Sequence, residues 1–311
     1  MAEEIFSHKP VLFEEALNGL SIEPNGCYVD GTFGRGGHSQ GILQQLGPQG
    51  RLIVFDKDPE AIRHAQQGFA NEDRLSIHAG SFIDMQAVVD RLGFTGKIDG
   101  VLLDLGVSSP QLDDASRGFS FLKSGALDMR MDPTRGMSAA QWINSAPEAE
   151  IAEVLKTYGE ERYARRLAKN IVGGRQQNPF VDTRQLAEAI KLAHPRWEKG
   201  KHPATRSFQA IRIFINNELD DLKQGLERAY EVLAPGGRMA IISFHSLEDR
   251  IVKRFFKHKC EGKQLPPDLP VMDIEVERHM KLIGKAIKAG KSEVQKNPRA
   301  RSAVLRIAEK L

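Results

Sequence analysis

Short apolar runs alternate with amphipathic stretches over the first hundred residues of the chain. Four runs predict buried strands, and they cover residues 27–30, 51–56, 74–78 and 98–104. The intervening stretches predict helices over residues 38–46, 59–69 and 82–92. Strands that alternate with helices of about ten residues indicate right-handed βαβ units, and therefore a parallel sheet.

The alternation stops between residues 111 and 205, where no strand-like run occurs. One helix is predicted at 147–158, behind a Ser145-x-x-Glu148 capping box. A second, at 162–172, is predicted to end at Gly173-Gly174. A third is predicted to begin at an Asp182 N-cap and to end at His194, before a proline.

The strand and helix pattern returns after residue 205. It predicts a long helix at 208–233, a fifth strand at 238–244, a helix at 247–259 and a last strand at 302–307. The expected architecture is therefore an α/β, Rossmann-like and mostly parallel sheet domain, built from residues 1–110 and 206–311. A helical domain of residues 111–205 is inserted into it.

Composition narrows the class of protein. The chain has 311 residues, of which 41% are hydrophobic and 27% charged, as in ordinary globular proteins. No apolar run approaches the ~20 residues of a membrane-spanning helix, so no membrane association is predicted. Cys27 and Cys260 form no CxxC pair, which favours a reducing cytoplasm and disfavours a structural zinc site. No metal site is predicted.

Positive charge is concentrated at the C-terminal end. Residues 281–311 contain nine Lys and Arg against two Glu, a balance of +7. The whole chain carries +3, so the other residues sum to −4. Such a segment indicates contact with a phosphate backbone, with a merely solvated surface as the alternative.

The residues after the first predicted strand form a glycine-rich loop, Asp30-Gly-Thr-Phe-Gly-Arg-Gly-Gly-His38. Glycines let the backbone turn with positive φ and approach a ligand closely, and the N–H groups at the following helix start face that ligand. Loops of this kind serve dinucleotides and S-adenosylmethionine (SAM). The NAD fingerprint fits badly because Ser39 occupies the position of its third glycine.

Three further strand ends carry candidate ligand groups. Asp56 ends the second strand, twenty residues after Gly36, where an acid accepts hydrogen bonds from ribose hydroxyls. Phe82 follows the third strand and could pack on adenine, and Asp104 ends the fourth. Taken singly, such residues are more often N-caps, as Asp58 before a proline suggests, or core residues. Together, at successive carboxyl ends, they predict a nucleotide-like cofactor site.

Several long motifs resemble those of the MraW (RsmH) family of 16S rRNA cytosine-N4 methyltransferases, and the resemblance covers nearly the whole chain. The motifs are Asp30–His38, Asp104-Leu-Gly-Val-Ser-Ser-Pro-Gln-Leu-Asp113, Arg117-Gly-Phe-Ser-Phe121, Leu127-Asp-Met-Arg-Met-Asp132, His202-Pro-Ala-Thr-Arg-Ser-Phe-Gln-Ala210, Ser243-Phe-His-Ser-Leu-Glu-Asp-Arg250 and Asn297-Pro-Arg-Ala-Arg301.

The resemblance implies a class I SAM-dependent methyltransferase fold with an inserted helical, substrate-recognising domain. It also implies methylation of a cytosine N4 in the decoding region of 16S rRNA, with the small ribosomal subunit as partner. The implied SAM contacts are Gly36, Gly37, His38, Asp56, Phe82, Asp104 and Gln111.

The chemistry of a cytosine amine is demanding because its lone pair is delocalised into the ring. Alignment and an acceptor for the departing N–H are the main requirements. Asp104, Ser108 and Ser109 are the candidates for orienting the amine. The stretch Ser108-Ser109-Pro110-Gln111 shares Ser-Pro with the Asp/Asn/Ser-Pro-Pro-aromatic loop of many amino methyltransferases, but it lacks the second proline and the aromatic residue.

The aromatic partner of the base is therefore left open. Phe119, Phe121 and Phe244 could stack on a flipped base, with core packing as the alternative for each. His245 could relay a proton, although a capping role is the simpler interpretation.

Candidate RNA contacts are cations that position RNA through its phosphates without reading its sequence. They are Arg162, Arg165, Arg166 and Lys169 in the insert, Arg206 beside it, and Arg299 and Arg301 in the basic segment.

Three other classes of protein remain open on the residues alone. One is a methyltransferase that acts on DNA, protein or a small molecule, although the basic segment and the insert disfavour a small substrate. Another is a non-enzymatic RNA-binding scaffold, which an intact glycine loop and Asp56 disfavour. The third is an NAD-dependent oxidoreductase, which the glycine register disfavours. A homo-oligomer is compatible with the sequence, but the spacing of residues does not predict one.

Overall fold

The computed structural model describes residues 10–196, 200, 202–262 and 277–311. The chain divides into two compact units. One consists of Met1–Gly106 with Leu219–Leu311, and the other of Val107–Glu218.

The first unit is built on a mixed, mostly parallel sheet, which among the described residues has eight strands. The strands are β1 Cys27–Asp30, β2 Arg51–Asp56, β3 Leu75–Ala79, β4 Ile98–Asp104, β5 Leu233–Ser243, β6 Met280–Leu282, β7 Ile287–Lys288 and β8 Val304–Lys310. Their order is β3-β2-β1-β4-β5-β8-β6, with β7 also paired to β8. Strands β1 to β5 are parallel to one another, and β8 is antiparallel to its neighbours. The predicted α/β fold class is confirmed.

Helices follow the strands as the βαβ pattern requires. The helices of both units are α1 Phe13–Leu20, α2 Gly37–Gln45, α3 Pro59–Gly68, α4 Met85–Arg91, α5 Ser109–Asp113, α6 Ala139–Ser145, α7 Glu148–Gly159, α8 Ala164–Gln177, α9 Thr183–Ala193, α10 Thr205–Ile215, α11 Glu218–Val232, α12 Ser246–Glu261 and α13 Lys291–Lys296. In the described part of the chain, no helix is both long enough and apolar enough to cross a membrane.

The sheet is covered on both faces. Alternate side chains of β2 show this directly, because Ile53 and Phe55 enter one buried cluster and Leu52 and Val54 enter the other. Helices α4, α11 and α12 cover the first face. Helices α1, α2 and α3 cover the second. Burial on both faces explains the nearly continuous apolar runs that mark the parallel strands in the sequence.

The second unit, Val107–Glu218, contains α5 to α10 and has its own apolar core. Helix α7 packs between α8 and α10. Phe208 and Ile211 of α10 are buried in this core, so α10 belongs to the helical unit. The unit therefore extends to Glu218, beyond the boundary at residue 205 that the sequence suggested.

The single helix predicted at 208–233 is wrong, because α10 ends at Ile215 and α11 begins at Glu218. Asn217 between them has φ +54°. The buried Asn216 amide donates to the Met129 carbonyl at 2.8 Å and accepts from the Met131 N–H at 2.7 Å. These long-range hydrogen bonds stop the helix, although the apolar periodicity continues through the break.

In the helical unit, the signals for the ends of one predicted helix are confirmed, and two other signals are wrong. Asp182 caps α9 as predicted, accepting from the N–H groups of Arg184 and Gln185. The Ser145 capping box is wrong, because Ser145 ends α6 and its hydroxyl donates to the Gln141 carbonyl.

The predicted end of a helix at Gly173-Gly174 is also wrong, because α8 continues to Gln177. A side chain on Gly174 would lie 3.1 Å from the Phe180 ring, so this glycine makes room for packing rather than ending the helix. The fifth strand begins at Leu233 rather than 238, with a shift of register where it pairs with β4.

Candidate cofactor site at the carboxyl edge of the sheet

The glycine loop lies at the carboxyl end of β1 and runs into α2. Gly34 and Gly36 have φ +57° and +76°, a conformation that side chains other than glycine rarely adopt. A Cβ at Gly36 would lie 2.6 Å from the Phe33 ring, and a Cβ at Gly31 would clash with Leu103. A side chain at these positions would therefore strain the backbone or displace its neighbours. The N–H groups of Gly31, Gly34 and Gly36 donate within the protein, to Leu102, Asp56 and Phe33.

Asp30, the last residue of β1, holds the glycine loop through hydrogen bonds. Its carboxylate accepts from the Ser39 hydroxyl at 2.6 Å and from the Thr32 N–H at 3.0 Å. Burial raises the pKa of Asp30, because these partners are neutral and the side chain is almost fully enclosed. Asp30 was not among the predicted site residues. Its position at a strand end before the glycines was the available signal.

Asp56, the last residue of β2, ties two loops together. One carboxylate oxygen accepts from the Gly34 N–H at 2.7 Å, and the other accepts from the Asp58 N–H at 2.8 Å. Each oxygen retains a second lone pair for a further donor such as a ribose hydroxyl. Burial raises the pKa of Asp56 to about 6. Asp58, by contrast, is the N-cap of α3 and accepts from the Glu60 N–H at 2.9 Å.

Asp104 ends β4, next to β1 in the sheet. Its N–H donates to the Thr32 hydroxyl at 2.6 Å. Its Oδ2 lies 3.7 Å from Nδ1 of His38, whereas its Oδ1 is buried without a hydrogen-bond partner among the described residues. The side chain as a whole is 26% exposed, but the carboxyl oxygen itself is enclosed. Burial, followed by the negative charges of Asp30 and Glu248, raises the pKa of Asp104 well above its ordinary value.

His38 in the first turn of α2 is also enclosed. Its ring stacks on Phe13 with centroids 5.9 Å apart, and burial lowers its pKa to about 4. The imidazole is therefore neutral at pH 7 and gives Asp104 no compensating charge. Its Nε2 lacks a hydrogen-bond partner in the described part of the chain. Two buried polar atoms at this edge, Asp104 Oδ1 and His38 Nε2, are thus without a hydrogen-bond partner in the described part of the chain.

Phe82 begins a 3₁₀ turn after β3 and packs closely against two glycines. A Cβ on Gly31 would lie 2.9 Å from Phe82 Cβ, and a Cβ on Gly225 of α11 would overlap the Phe82 ring. The ring is therefore held between the glycine loop and α11. Phe82 is partly exposed, which leaves part of its surface for another contact.

Three predicted site residues belong to the helical unit. Ser108 precedes α5, Ser109 is its first residue, and Gln111 lies in its first turn. The buried Gln111 side chain accepts from the Ser108 N–H at 2.9 Å, so it supports the start of α5.

The three aromatic candidates for stacking on a base pack within their own units. Phe119 is buried in the helical core, and Phe121 packs on His202 and Phe208 with centroids 4.7 Å from each. Phe244 packs against the buried cluster that contains β1 and β2 residues. The role of each toward a base remains a prediction.

His245 has the capping role, the simpler interpretation of this residue in the sequence. It is the N-cap of α12, and its Nδ1 accepts from the Glu248 N–H at 3.4 Å. The Glu248 carboxylate in return accepts from the N–H groups of Phe244 at 2.8 Å and His245 at 3.2 Å. These contacts assign both side chains to the end of β5 and the start of α12.

The predicted RNA-contacting cations fall into three settings. Arg165, Arg166 and Lys169 are exposed on α8, and Arg162 is exposed just before it. Arg299 and Arg301 are exposed on a 3₁₀ turn that precedes β8. Arg206 differs, because it is half-buried and donates to the Glu160 carbonyl at the end of α7, at 3.2 Å.

The edge therefore offers backbone N–H groups at a helix start, an acid after β2, an aromatic ring after β3 and an unpartnered carboxyl oxygen after β4. This combination of hydrogen-bond donors, acceptors and an aromatic ring suits a nucleoside that carries a charged amino-acid arm. The mostly parallel sheet, this edge and the family match given next are those of a class I SAM-dependent methyltransferase, and SAM is its cofactor.

Residues 5–311 match the model of the MraW methylase family, and the chain belongs to that family. A protein of Thioalkalivibrio sulfidiphilus (strain HL-EbGR7), named Ribosomal RNA small subunit methyltransferase H, is 58% identical over 306 residues, which is 98% of each chain.

Among solved structures, an rRNA methylase of Streptococcus thermophilus matches with a TM-score of 0.44 and 11% identity, over 98% of this chain and 99% of that one. TrmN of Thermus thermophilus matches with a TM-score of 0.45 and 12% identity, over 100% and 51% of the respective chains.

Proposed function

We propose that this chain uses SAM to methylate N4 of a cytosine in the decoding region of 16S rRNA. The 58% identical relative is named as a small-subunit rRNA methyltransferase, which supports rRNA as the substrate. The cytosine N4 and the decoding region come from the motif resemblance. The observation that carries the proposal is Asp104 Oδ1, an enclosed acceptor without a partner at the cofactor edge of the sheet.

The cofactor contacts follow from the same edge. SAM would contact the backbone of Gly36 and Gly37 and the side chain of His38. Asp56 would accept from the ribose hydroxyls, and Phe82 would pack on the adenine. Gln111 is assigned by the resemblance, and in the structure it supports the start of α5.

The chain's own residues have two chemical tasks, which are to accept a proton from the cytosine amine and to orient that amine. SAM, when bound, supplies an electrophilic methyl group on a sulfonium. The amine loses one proton as the new N–C bond forms, and Asp104 Oδ1 is proposed to accept it. The raised pKa of Asp104 suits this task, because a weaker carboxylic acid has a more basic carboxylate. Ser108 and Ser109 are proposed to orient the amine.

The cytosine N4 lies on the Watson–Crick edge, so only an unpaired or flipped base exposes it. The inserted unit is proposed to recognise the substrate, with α8, Arg206, Arg299 and Arg301 holding phosphates. The proposed partner is therefore folded rRNA within the small ribosomal subunit, in the cytoplasm.

Nucleoside mass spectrometry of 16S rRNA tests this function. Cells that lack the protein should lose an N4-methylated cytidine in the decoding region. The wild-type chain should restore it, whereas an Asp104→Asn chain expressed at the same level should not. An unchanged rRNA nucleoside profile, together with methylation of cytosine in DNA by the purified chain, would instead support the DNA alternative.

A further inference from the structure

A carboxylate outside the cofactor edge connects the two loops that carry Asp56 and Phe82. Asp221 lies in the first turns of α11 and is 5% exposed. Its Oδ2 lies 2.6 Å from Nζ of Lys57 and accepts from the Ser81 hydroxyl at 2.7 Å. One oxygen atom therefore holds residues from the ends of two neighbouring parallel strands.

Each partner of Asp221 is adjacent in sequence to a proposed SAM contact. Lys57 follows Asp56, whose carboxylate holds the glycine loop through the Gly34 N–H. Ser81 precedes Phe82, and its hydroxyl accepts from the Ile83 N–H at the start of the 3₁₀ turn.

Helix α11 reaches Phe82 by a second route. Gly225 lies four residues after Asp221, and positions i and i+4 share one face of a helix. The missing side chain at Gly225 accommodates the Phe82 ring. The same face of α11 thus carries Asp221, which contacts both loops, and Gly225, against which the Phe82 ring packs.

We infer that Asp221 is a positioning residue for SAM, which sets the spacing between Asp56 and Phe82 through Lys57 and Ser81. The inference rests on the proposed function, because Asp56 and Phe82 bind SAM only under it. Helix α11 is anchored independently by buried Leu222, Leu226 and Ala229, so the site depends on the charge of Asp221 more than the fold does.

The Asp221→Asn variant tests the inference in the full chain. The amide oxygen can still accept from Ser81, but the charge opposite Lys57 is lost. We expect the Kd for SAM to rise roughly 10-fold, the equivalent of one weakened buried contact. The KM for SAM should rise in parallel, with kcat on small-subunit particles within about twofold of wild type. The matched control is Asp220→Asn on the same helix, whose pairing with Lys223 is exposed and whose loss should change neither constant.

A second variant separates positioning from stability. Lys57→Met with Asp221→Leu removes both charges, so no unpaired charge remains buried and the melting temperature should stay near that of wild type. We expect its SAM affinity to stay weak. Recovery of wild-type affinity in this double variant, or wild-type affinity in Asp221→Asn, would overturn the inference. Asp56→Ala and Phe82→Ala belong in the same titration. If both bind SAM as wild type does, the proposed site is misplaced and the inference fails with it.

Discussion

The carboxyl edge of the sheet and the exposed face of α8 use charge in opposite ways. At the edge, Asp30 is buried and Asp56 and Asp104 are partly buried, and burial raises the pKa of each. On α8, Arg165 and Lys169 stand in solvent. Enclosed acids interact strongly with single neighbours, whereas exposed cations act additively and are screened by salt.

This difference between buried acids and exposed cations indicates where the protein loses folding stability in favour of function. An acid with a raised pKa makes the fold less stable at neutral pH, because the unfolded chain ionises it more easily. A group kept in that state is a candidate for ligand binding or catalysis. Exposed cations do not lower the folding stability in this way, so their effect should appear only in binding to the proposed partner, the small ribosomal subunit.

The largest expected effect is that of Asp104→Asn. Methylation of small-subunit particles should fall about 10²- to 10⁴-fold, the usual contribution of a positioned proton acceptor. In the wild type, the rate should fall as the pH drops through the raised pKa of Asp104, because only the carboxylate accepts the proton. Single-turnover assays across a range of pH would measure both effects. Asp73→Asn, at an exposed position, is the control.

The same variant should be more stable than the wild type at neutral pH. Between the ordinary and the raised pKa, the folded wild type binds more protons than the unfolded chain, so its stability decreases as the pH rises. Asparagine removes this loss, and the gain in melting temperature should disappear in acid. A lower melting temperature for Asp104→Asn at pH 7.5 would contradict the enclosed setting of this carboxyl group.

Next in size is the contrast between Asp56 and Asp58. Asp56→Ala should weaken SAM binding by about 1–3 kcal/mol, since it leaves hydroxyl and N–H groups unpaired. Asp58→Ala removes the cap of α3 and should cost about 1 kcal/mol of folding stability, with a smaller effect on SAM affinity. Calorimetry and thermal melting of both variants measure the two quantities. If the two variants show the same changes in SAM affinity and in melting temperature, Asp56 is a structural residue and does not bind the ligand.

A smaller effect is expected on α8. Arg165→Ala, Arg166→Ala and Lys169→Ala combined should weaken binding of small-subunit particles and should flatten its salt dependence by about 2 units of slope, as expected for three lost phosphate contacts. SAM affinity and the melting temperature should stay at wild-type values. Lys223→Ala, an exposed lysine of α11, provides the comparison. An unchanged salt slope would remove α8 from the RNA-binding surface.

The smallest effect concerns the turn before β8. Arg299→Ala with Arg301→Ala should slow particle methylation a few-fold while SAM binding is retained, because both arginines are exposed. Ala300 between them is buried, so Ala300→Asp should instead lower the melting temperature. Loss of both stability and SAM affinity in the double arginine variant would show that the arginines anchor β8.

The sequence by itself determined the fold class and most of the cofactor edge. Apolar runs and their spacing are local properties, and strands that are buried on both faces must be apolar throughout. Parallel strands bring their carboxyl ends to one edge, which is why the sequence predicts Asp56, Phe82 and Asp104 as neighbours there. The glycine loop was equally visible, because positive φ at Gly34 and Gly36 restricts the residue type.

Only the tertiary structure decided the features that depend on contacts distant in sequence. The break at Asn216 is made by hydrogen bonds to Met129 and Met131, which no periodicity reports. Gly174 lies inside α8, where a Cβ would come within 3.1 Å of the Phe180 ring. Asp221 became visible through Lys57 and Ser81, more than one hundred residues away. The raised pKa of Asp104 likewise comes from its surroundings rather than its residue type, because desolvation depends on what the whole fold places around a charge.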